Sequence, residues 1–115
     1  HAYCGAVSAA CGSGAAITYL YGGDYEDVSY TITNTIGNVG GIVCDGAKSS
    51  CAAKIAASVD AGILGYNMYL QGQQFYAGDG IITKGIEGTI DNVGRLGKDG
   101  MKETNEEIIR IMIND

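Results

Sequence analysis

The side chains best suited to bind a metal or take part in a reaction lie in the segment Cys44-Asp45-Gly46-Ala47-Lys48. A second thiol follows at Cys51. The Asp-Gly turn between the two cysteines opens onto an Ala-rich stretch that predicts a helix. At the start of a helix, backbone N–H groups point outward and the helix dipole favours negative charge. Lys48 adds a cation within one turn. Such surroundings favour the thiolate, the form of cysteine that binds metal. We therefore expect a thiolate–metal site in this segment.

The chain contains four cysteines, which leave several interpretations open: Cys4, Cys11, Cys44 and Cys51. In an exported protein they could form two disulfides, whereas reduced thiols or metal ligands are usual inside the cell. The spacing lacks the paired C-x-x-C pattern of structural zinc sites. Three thiolates could hold a [4Fe–4S] cluster and leave one iron open as a Lewis acid toward a substrate hydroxyl or thiol. Free cysteines also serve as small buried hydrophobic residues.

Length and composition predict one packed domain over residues 1–115. The hydrophobic content of 46% separates the chain from disordered Gly-rich sequences, although it has 19 glycines and no proline. A net charge of −6 argues against a nucleic-acid partner or an anionic membrane surface. No secretory signal is visible in the sequence, and we expect a cytoplasmic protein.

Residues 2–23 carry no charge, which raises the question of whether they span a membrane. Several polar residues interrupt it, including Ser8, Ser13 and Thr18, and it also contains tyrosines and several glycines. No basic residues flank it, as they commonly do at the ends of a membrane span. We therefore expect no membrane-spanning segment.

Hydrophobic spacing predicts an all-α fold of about five helices, with Gly/Ala-rich helices in the interior. The first helix covers residues 2–21 and ends at Gly22-Gly23. Its small residues recur every three or four positions and predict a face that a neighbouring backbone approaches closely, namely Gly5, Ala9, Gly12 and Ala16. Cys4 and Cys11, seven residues apart, fall on nearly the same side of this helix.

The second helix begins with Asp24 as its N-cap, continues to Val39 and ends at Gly40-Gly41. Its surface is polar without being charged, which leaves two interpretations. The helix could pack among others with its hydroxyl and amide groups satisfied. Alternatively, Asn34 and Asn38, one turn apart, could face a polar pocket and bind the substrate.

The third helix runs from Ala47 to about Leu70, and only Lys48, Lys54 and Asp60 are charged within it. Its predicted apolar stripe, which we expect to be enclosed by protein, consists of Cys51, Ile55, Val59, Ile63, Tyr66 and Leu70. A loop over residues 71–80 precedes a fourth helix from Ile82 to Leu96, closed by Gly97 or Gly100. A capping box formed by Thr104 and Glu107 then predicts the start of the last helix.

Three motifs carry a resemblance to a known family. They are Tyr19-Leu20-Tyr21-Gly22-Gly23, the Cys44–Lys48 segment with Cys51, and Gly100-Met101 with Thr104. Together they resemble the serine dehydratase-like alpha chain family, above all the branch of L-cysteine desulfidase and its uncharacterised relatives. The resemblance covers essentially the whole chain and corresponds to the C-terminal portion of longer members. It implies that the N-terminal portion of the same protein is a partner, and it leaves a homo-oligomer open.

The resemblance implies an iron–sulfur lyase acting on a small amino-acid substrate. Such an enzyme eliminates water from L-serine or sulfide from L-cysteine, giving pyruvate and ammonia. By position, Cys44 and Cys51 match the second and third ligands of a [4Fe–4S] cluster. Cys4 is the expected first ligand, with Cys11 as the alternative to Cys4.

The remaining polar residues of the segment have ambiguous roles. Lys48 could bind the substrate carboxylate, offset the negative charge of the cluster, or remain solvated. Asp45 is expected to be an N-cap rather than an acid–base group. No general base is evident, because the single histidine, His1, lies at the chain end. The alternative to a lyase is a non-enzymatic all-α regulatory or assembly domain with buried structural cysteines.

Overall fold

The computed structural model describes residues 3–46 and 48–114, so that His1, Ala2, Ala47 and Asp115 lie outside the described residues. Within these two ranges the fold is all-α, as predicted, and the β-structure consists of one isolated antiparallel bridge between Tyr3 and Val43. The five helices are α1 (Gly5–Leu20), α2 (Tyr25–Val39), α3 (Ser50–Leu70), α4 (Ile86–Arg95) and α5 (Lys102–Asn114), with a π-helical turn at Leu96–Gly100 between the last two.

The junction between α1 and α2 follows the local sequence signals. Gly22 adopts a φ of 84°, a left-handed conformation that glycine tolerates and that ends α1. Asp24 is the N-cap of α2: its carboxylate accepts the Asp27 N–H at 2.9 Å, while the Asp27 carboxylate accepts the Asp24 N–H at 2.8 Å. The predicted N-cap is therefore confirmed, and it forms a reciprocal capping box.

The helices α1, α2 and α3 pack against one another and form the main body of the molecule. Helices α1 and α3 come closest where Gly14 faces Gly62: a Cβ atom added to Gly14 would lie 3.0 Å from the Gly62 Cα. Gly65 of α3 is packed in the same way against Asn34 and the backbone of Thr31 on α2. Small residues thus set the distances between the three helices, and the predicted burial of Gly/Ala-rich helices is confirmed.

The faces that pack differ from those predicted by spacing. On α1 the predicted small-residue face is largely exposed, and a Cβ on Gly5 or Gly12 would meet no atom within 4 Å. The packed face of α1 consists instead of Val7, Ala10, Gly14 and Thr18. On α3 the large residues Ile55, Ile63 and Leu70 are exposed, whereas its buried face consists of Ser58, Ala61, Gly62 and Gly65. Only small side chains fit where α1, α2 and α3 approach closely, and the larger apolar residues of α3 lie at the surface.

The interior is rich in hydroxyl groups whose hydrogen bonds are made within their own helices. On α2 the hydroxyls of Thr31 and Thr35 donate to carbonyl oxygens one turn earlier, at 2.9 and 2.7 Å. Thr18 of α1 donates to Gly14 in the same way and lies 3.2 Å from the Thr31 hydroxyl. Burial of these groups is tolerated because their polar atoms have partners. The interpretation of α2 as a packed helix with satisfied polar groups is correct for these residues.

The start of α4 lies later than predicted, because Gly85 has a φ of 87° and interrupts the helical path. The segment before it folds back onto α4 through Thr89, whose hydroxyl oxygen accepts the Thr83 N–H at 3.1 Å. The predicted capping box at Thr104 is also wrong. Helix α5 already begins at Lys102, and its first turn is closed by the Asn105 N–H donating to the Met101 carbonyl at 2.9 Å.

None of the helices that the structure describes combines the length and the apolar character that crossing a bilayer requires.

Candidate metal centre

The loop between α2 and α3 carries Cys44, the predicted second metal ligand, and the first turn of α3 carries Cys51, the predicted third. Between them Gly46 has a φ of 99°, which turns the chain toward the helix. The Cys51 thiol lies 3.7 Å from the Gly46 carbonyl oxygen. The prediction that α3 starts at Ala47 is wrong, because the helix begins at Ser50. Cys51 lies in its first turn, and its N–H donates to the Lys48 carbonyl oxygen at 3.0 Å.

A contact distant in sequence brings the segment before α1 to the same loop. The Cys4 N–H donates to the carbonyl oxygen of Ile42 at 3.0 Å, and the neighbouring residue Tyr3 forms the antiparallel bridge with Val43. Cys4 is itself the N-cap residue of α1 and only 4% exposed. The backbones of the three segments that carry Cys4, Cys44 and Cys51 therefore meet at one end of the helical body.

Two lysines and one carboxylate form a charged cluster at this junction. The Asp45 carboxylate pairs with Lys48 and with Lys54, the latter at 2.8 Å. Hydrogen bonds from Lys48 and then from Lys54 lower the pKa of Asp45 to about 2. The predicted N-cap role of Asp45 is wrong: Ser49 precedes α3, and the ammonium groups are the partners of the Asp45 carboxylate. Asp45 instead ties the loop to the first two turns of α3.

Lys54 extends this cluster toward the thiols. Its Nζ also donates to the Val43 carbonyl oxygen at 3.2 Å. The hydrogen bond to Asp45 raises the pKa of Lys54, and nearby ionisable groups at Cys4 and Cys51 raise it further. The ammonium group therefore contacts the chain on both sides of Cys44, at Val43 and at Asp45. Sequence reasoning gave Lys54 no role, although its position three residues after Cys51 placed both on one face of α3.

The other candidate for the first ligand, Cys11, lies two turns along α1. Together with Cys4 it lines an apolar cavity of about 300 Å³, whose other walls include Val7, Ile36 and Val93. Burial raises the pKa of the Cys11 thiol, which disfavours the thiolate. Contacts from the Cys44 loop reach the backbone of Cys4 and not that of Cys11 among the described residues.

The chemistry of the donor set suits an iron–sulfur cluster better than a single ion. All four cysteines are free thiols, and thiolates are the usual ligands of such clusters. Over residues 3–46 and 48–114, no three Cys, His, Asp or Glu side chains lie close enough together to hold one metal ion. A four-iron cluster is larger than one ion, so its ligands need not converge as tightly. The meeting of three thiol-bearing segments beside two ammonium groups fits this larger, negatively charged group.

The residues predicted to bind substrate lie in different surroundings. Asn34 is buried and bonded to the backbone: its amide nitrogen donates to Gly65 at 3.0 Å, and its oxygen accepts the Phe75 N–H at 2.9 Å. Asn38, one turn later, is exposed. Lys48 is also exposed, next to Asp45. Of these three residues, Asn34 contributes to packing, whereas Asn38 and Lys48 are exposed.

Comparison with known proteins now identifies the family. A family model described as the serine dehydratase alpha chain matches residues 1–110. The chain belongs to the serine dehydratase alpha chain family. This membership confirms the resemblance seen in the sequence motifs, and it associates the chain with a serine dehydratase-related role.

Several curated relatives of this family member are called UPF0597 proteins. One from Desulfitobacterium hafniense is 66% identical over 98% of the chain, and one from Lachnoclostridium phytofermentans is 61% identical over 98%. A third, from Treponema denticola, is 48% identical over 99% of the chain. The chain spans about a quarter of the length of these relatives, 26%, 27% and 26% respectively. No solved structure matches the chain.

Proposed function

We propose that this chain carries the thiolate side of a [4Fe–4S] site in a lyase that acts on L-serine or L-cysteine. The reaction is a β-elimination that releases pyruvate and ammonia, with sulfide as a further product from cysteine. Family membership supports the class of reaction. The observation that carries the metal assignment is the 3.0 Å hydrogen bond from the Cys4 N–H to Ile42, because it brings the first thiol segment to the loop of Cys44.

In this proposal Cys4, Cys44 and Cys51 hold the cluster. When bound, a cluster with three protein thiolates supplies an open iron that acts as a Lewis acid on the β-hydroxyl or β-thiol of the substrate. Lys54 and the N-terminus of α3 offset the negative charge of the thiolates. Lys48, which is exposed beside the same loop, is the candidate for binding the substrate carboxylate, and Asn38 is a second polar candidate.

Asp45 is a poor candidate for the general base in this proposal. Its pKa of about 2 makes it a weak proton acceptor near neutral pH. Its carboxylate is also engaged by two ammonium groups. We assign Asp45 to holding the loop, and the residue that removes the α-proton is not assigned.

The surroundings of the site are also part of the proposal. The exposed apolar residues Ile55, Ile63 and Leu70 on α3 form a surface suited to contact with further protein. The portion of the family proteins that precedes this region, or a second copy of the protein, would cover them. Reduced cysteines are the usual state in the cytoplasm, where we place the protein.

The test is anaerobic reconstitution with iron and sulfide of the protein at its natural full length. We expect about four irons per chain and a broad charge-transfer absorption. Cys44→Ala and Cys51→Ala should abolish both, and the loaded protein should form pyruvate from one or both amino acids. A correctly folded protein that remains colourless and iron-free would contradict the proposal.

A second candidate function has its own supporting observation. Cys4 is almost completely buried and Cys11 lies in an apolar cavity, which is typical of cysteines that act as small packing residues. This favours a non-enzymatic regulatory or assembly domain. It predicts thiols that resist alkylation until the protein unfolds, and alanine variants that lose stability without losing a cofactor.

A further inference from the structure

Lys54 makes contacts on both sides of Cys44. Its Nζ donates to the carbonyl oxygen of Val43 at 3.2 Å and to the carboxylate of Asp45 at 2.8 Å, the two residues that flank the cysteine. A lysine ammonium carries three N–H donors. Two are used here, and both hold the backbone segment that presents the Cys44 thiol. The third remains for a further acceptor.

The same side chain is connected to the other two thiol segments. Val43 forms the antiparallel bridge with Tyr3, the residue before Cys4. Cys51 lies one turn before Lys54 on α3, so both side chains project from one side of the helix. Lys54 therefore contacts the loop at Val43, the residue bridged to the Cys4 segment, and shares one side of α3 with Cys51.

Lys48 provides a natural comparison, because it pairs with the same carboxylate. Its side chain is 47% exposed, whereas that of Lys54 is 21% exposed. Within residues 3–46 and 48–114, its hydrogen-bond partner is Asp45, three residues earlier in the chain. A charge in contact with water is screened more than a partly buried one. The two lysines thus share one partner but differ in their contact with the thiol segments.

We propose that Lys54 is a positioning residue of the thiolate site: it fixes the Val43–Asp45 segment so that Cys44 faces the other thiols, and it places a partly buried positive charge beside Cys4 and Cys51. This inference rests on the proposed function. Groups that orient metal ligands contribute to metal affinity, and the charge around a cluster sets its reduction potential. Lys54 thereby stabilises a site whose thiolates would otherwise repel one another.

The test compares Lys54→Met, Lys54→Arg and Lys48→Met with the wild type, each at natural full length. Methionine keeps much of the unbranched lysine side chain but removes the charge and the hydrogen bonds to Val43 and Asp45. Arginine keeps the charge. The readouts are iron and sulfide per chain after anaerobic reconstitution, the rate of iron loss to a chelator, and the midpoint reduction potential. For Lys54→Met we expect about tenfold weaker iron retention and a lower potential. Lys54→Arg should recover most of the potential. Lys48→Met should match the wild type in iron retention and potential, whatever its effect on substrate binding.

The possible outcomes separate this inference from the function on which it rests. If the wild type takes up no cluster, the proposed function fails and this inference fails with it. If the wild type is loaded but Lys54→Met matches it in iron retention and potential, only the role of Lys54 is overturned. Equal losses in Lys48→Met and Lys54→Met would also overturn it. Should Lys54→Met fail to fold, as judged by circular dichroism, the comparison of Lys54→Arg with Lys48→Met decides. A reduction potential in Lys54→Arg near that of the wild type supports a role for the positive charge. A loss of iron in Lys54→Arg as large as that in Cys44→Ala contradicts it.

Discussion

The amide nitrogen of Asn34 on α2 lies 3.0 Å from the carbonyl oxygen of Gly65 on α3, and this hydrogen bond crosses the interface between the two helices. The same side chain accepts the Phe75 N–H, so it also anchors the segment that follows α3. A Cβ atom added to Gly65 would lie 3.1 Å from both the Asn34 Cβ and the Thr31 carbonyl oxygen, so a larger residue requires these neighbours to shift.

Replacement of Asn34 is therefore expected to destabilise the fold. Asn34→Ala removes the donor to Gly65 and leaves the partly buried Phe75 N–H without its acceptor, which should lower the free energy of unfolding by about 1–3 kcal/mol in urea titrations. The matched control is Asn38→Ala, an exposed position that should change this free energy by less than about 0.5 kcal/mol. If Asn34→Ala keeps its stability but loses substrate affinity, the residue binds substrate instead.

The contact between Gly14 and Gly62 gives a second prediction. In Gly14→Ala the new methyl group would meet the Gly62 backbone, so α1 and α3 must separate. We expect a loss of about 1–3 kcal/mol in the free energy of unfolding. Gly12→Ala serves as the control, because a methyl group there meets no atom and alanine favours helix by up to about 1 kcal/mol. Thermal unfolding of both variants should show shifts of opposite sign; equal shifts would contradict the packing described for α1.

A third prediction distinguishes the two candidates for the first metal ligand. Cys4→Ala should reduce reconstituted iron to the level of Cys44→Ala, because the Cys4 segment is bonded to the loop of Cys44. Cys11→Ala should retain iron, since its thiol faces an apolar cavity and its pKa is raised by burial. Iron analysis and absorption spectra of the purified variants provide the measurement. The reverse pattern would assign the ligand to Cys11.

The charged cluster at Asp45 predicts a dependence of stability on acid. Lys48 and Lys54 hold the pKa of Asp45 at about 2, below the value of about 4 for an unfolded aspartate. The ion pairs therefore stabilise the folded state above about pH 4, and this contribution is lost as the pH falls toward about 2. Urea midpoints measured across this range should fall more steeply for the wild type than for Asp45→Asn.

Two controls accompany this measurement. Added salt should reduce the difference between wild type and Asp45→Asn, because the carboxylate is partly exposed and its interactions are screened. Asp60→Asn, at an exposed position on α3, should leave the pH profile unchanged. Parallel profiles for the wild type and Asp45→Asn would show that the ion pairs contribute nothing to stability.

The sequence was informative wherever a signal is local. Asp24 and Gly22 fix the boundaries of α1 and α2 through their own backbone and side-chain preferences, and both were recognised. The start of α5 was misplaced because Thr104 has the residue pattern of a cap, while the chain had already resumed its helical path at Lys102. Local patterns of this kind do not reveal the conformation of the preceding residues.

The packed faces and the role of Lys54 depend on contacts between distant segments. Both sides of α1 carry small residues, so spacing alone could not show that Gly14 rather than Gly12 meets a neighbouring helix. The motif around Cys44 predicts where in the chain the candidate site lies. It could not show that the Val43 carbonyl would accept a hydrogen bond from Lys54, because that contact requires the loop to fold onto α3.

The bridge between Tyr3 and Val43 also has a consequence for the order of events during biosynthesis. Cys4 leaves the ribosome before Cys44 and Cys51. Its segment reaches the loop of Cys44 only after α1 and α2 have packed against each other. Iron offered to the nascent polypeptide would find one isolated sulfur atom. In the proposed function, the three cysteines could therefore share a cluster only after α3 has been synthesised.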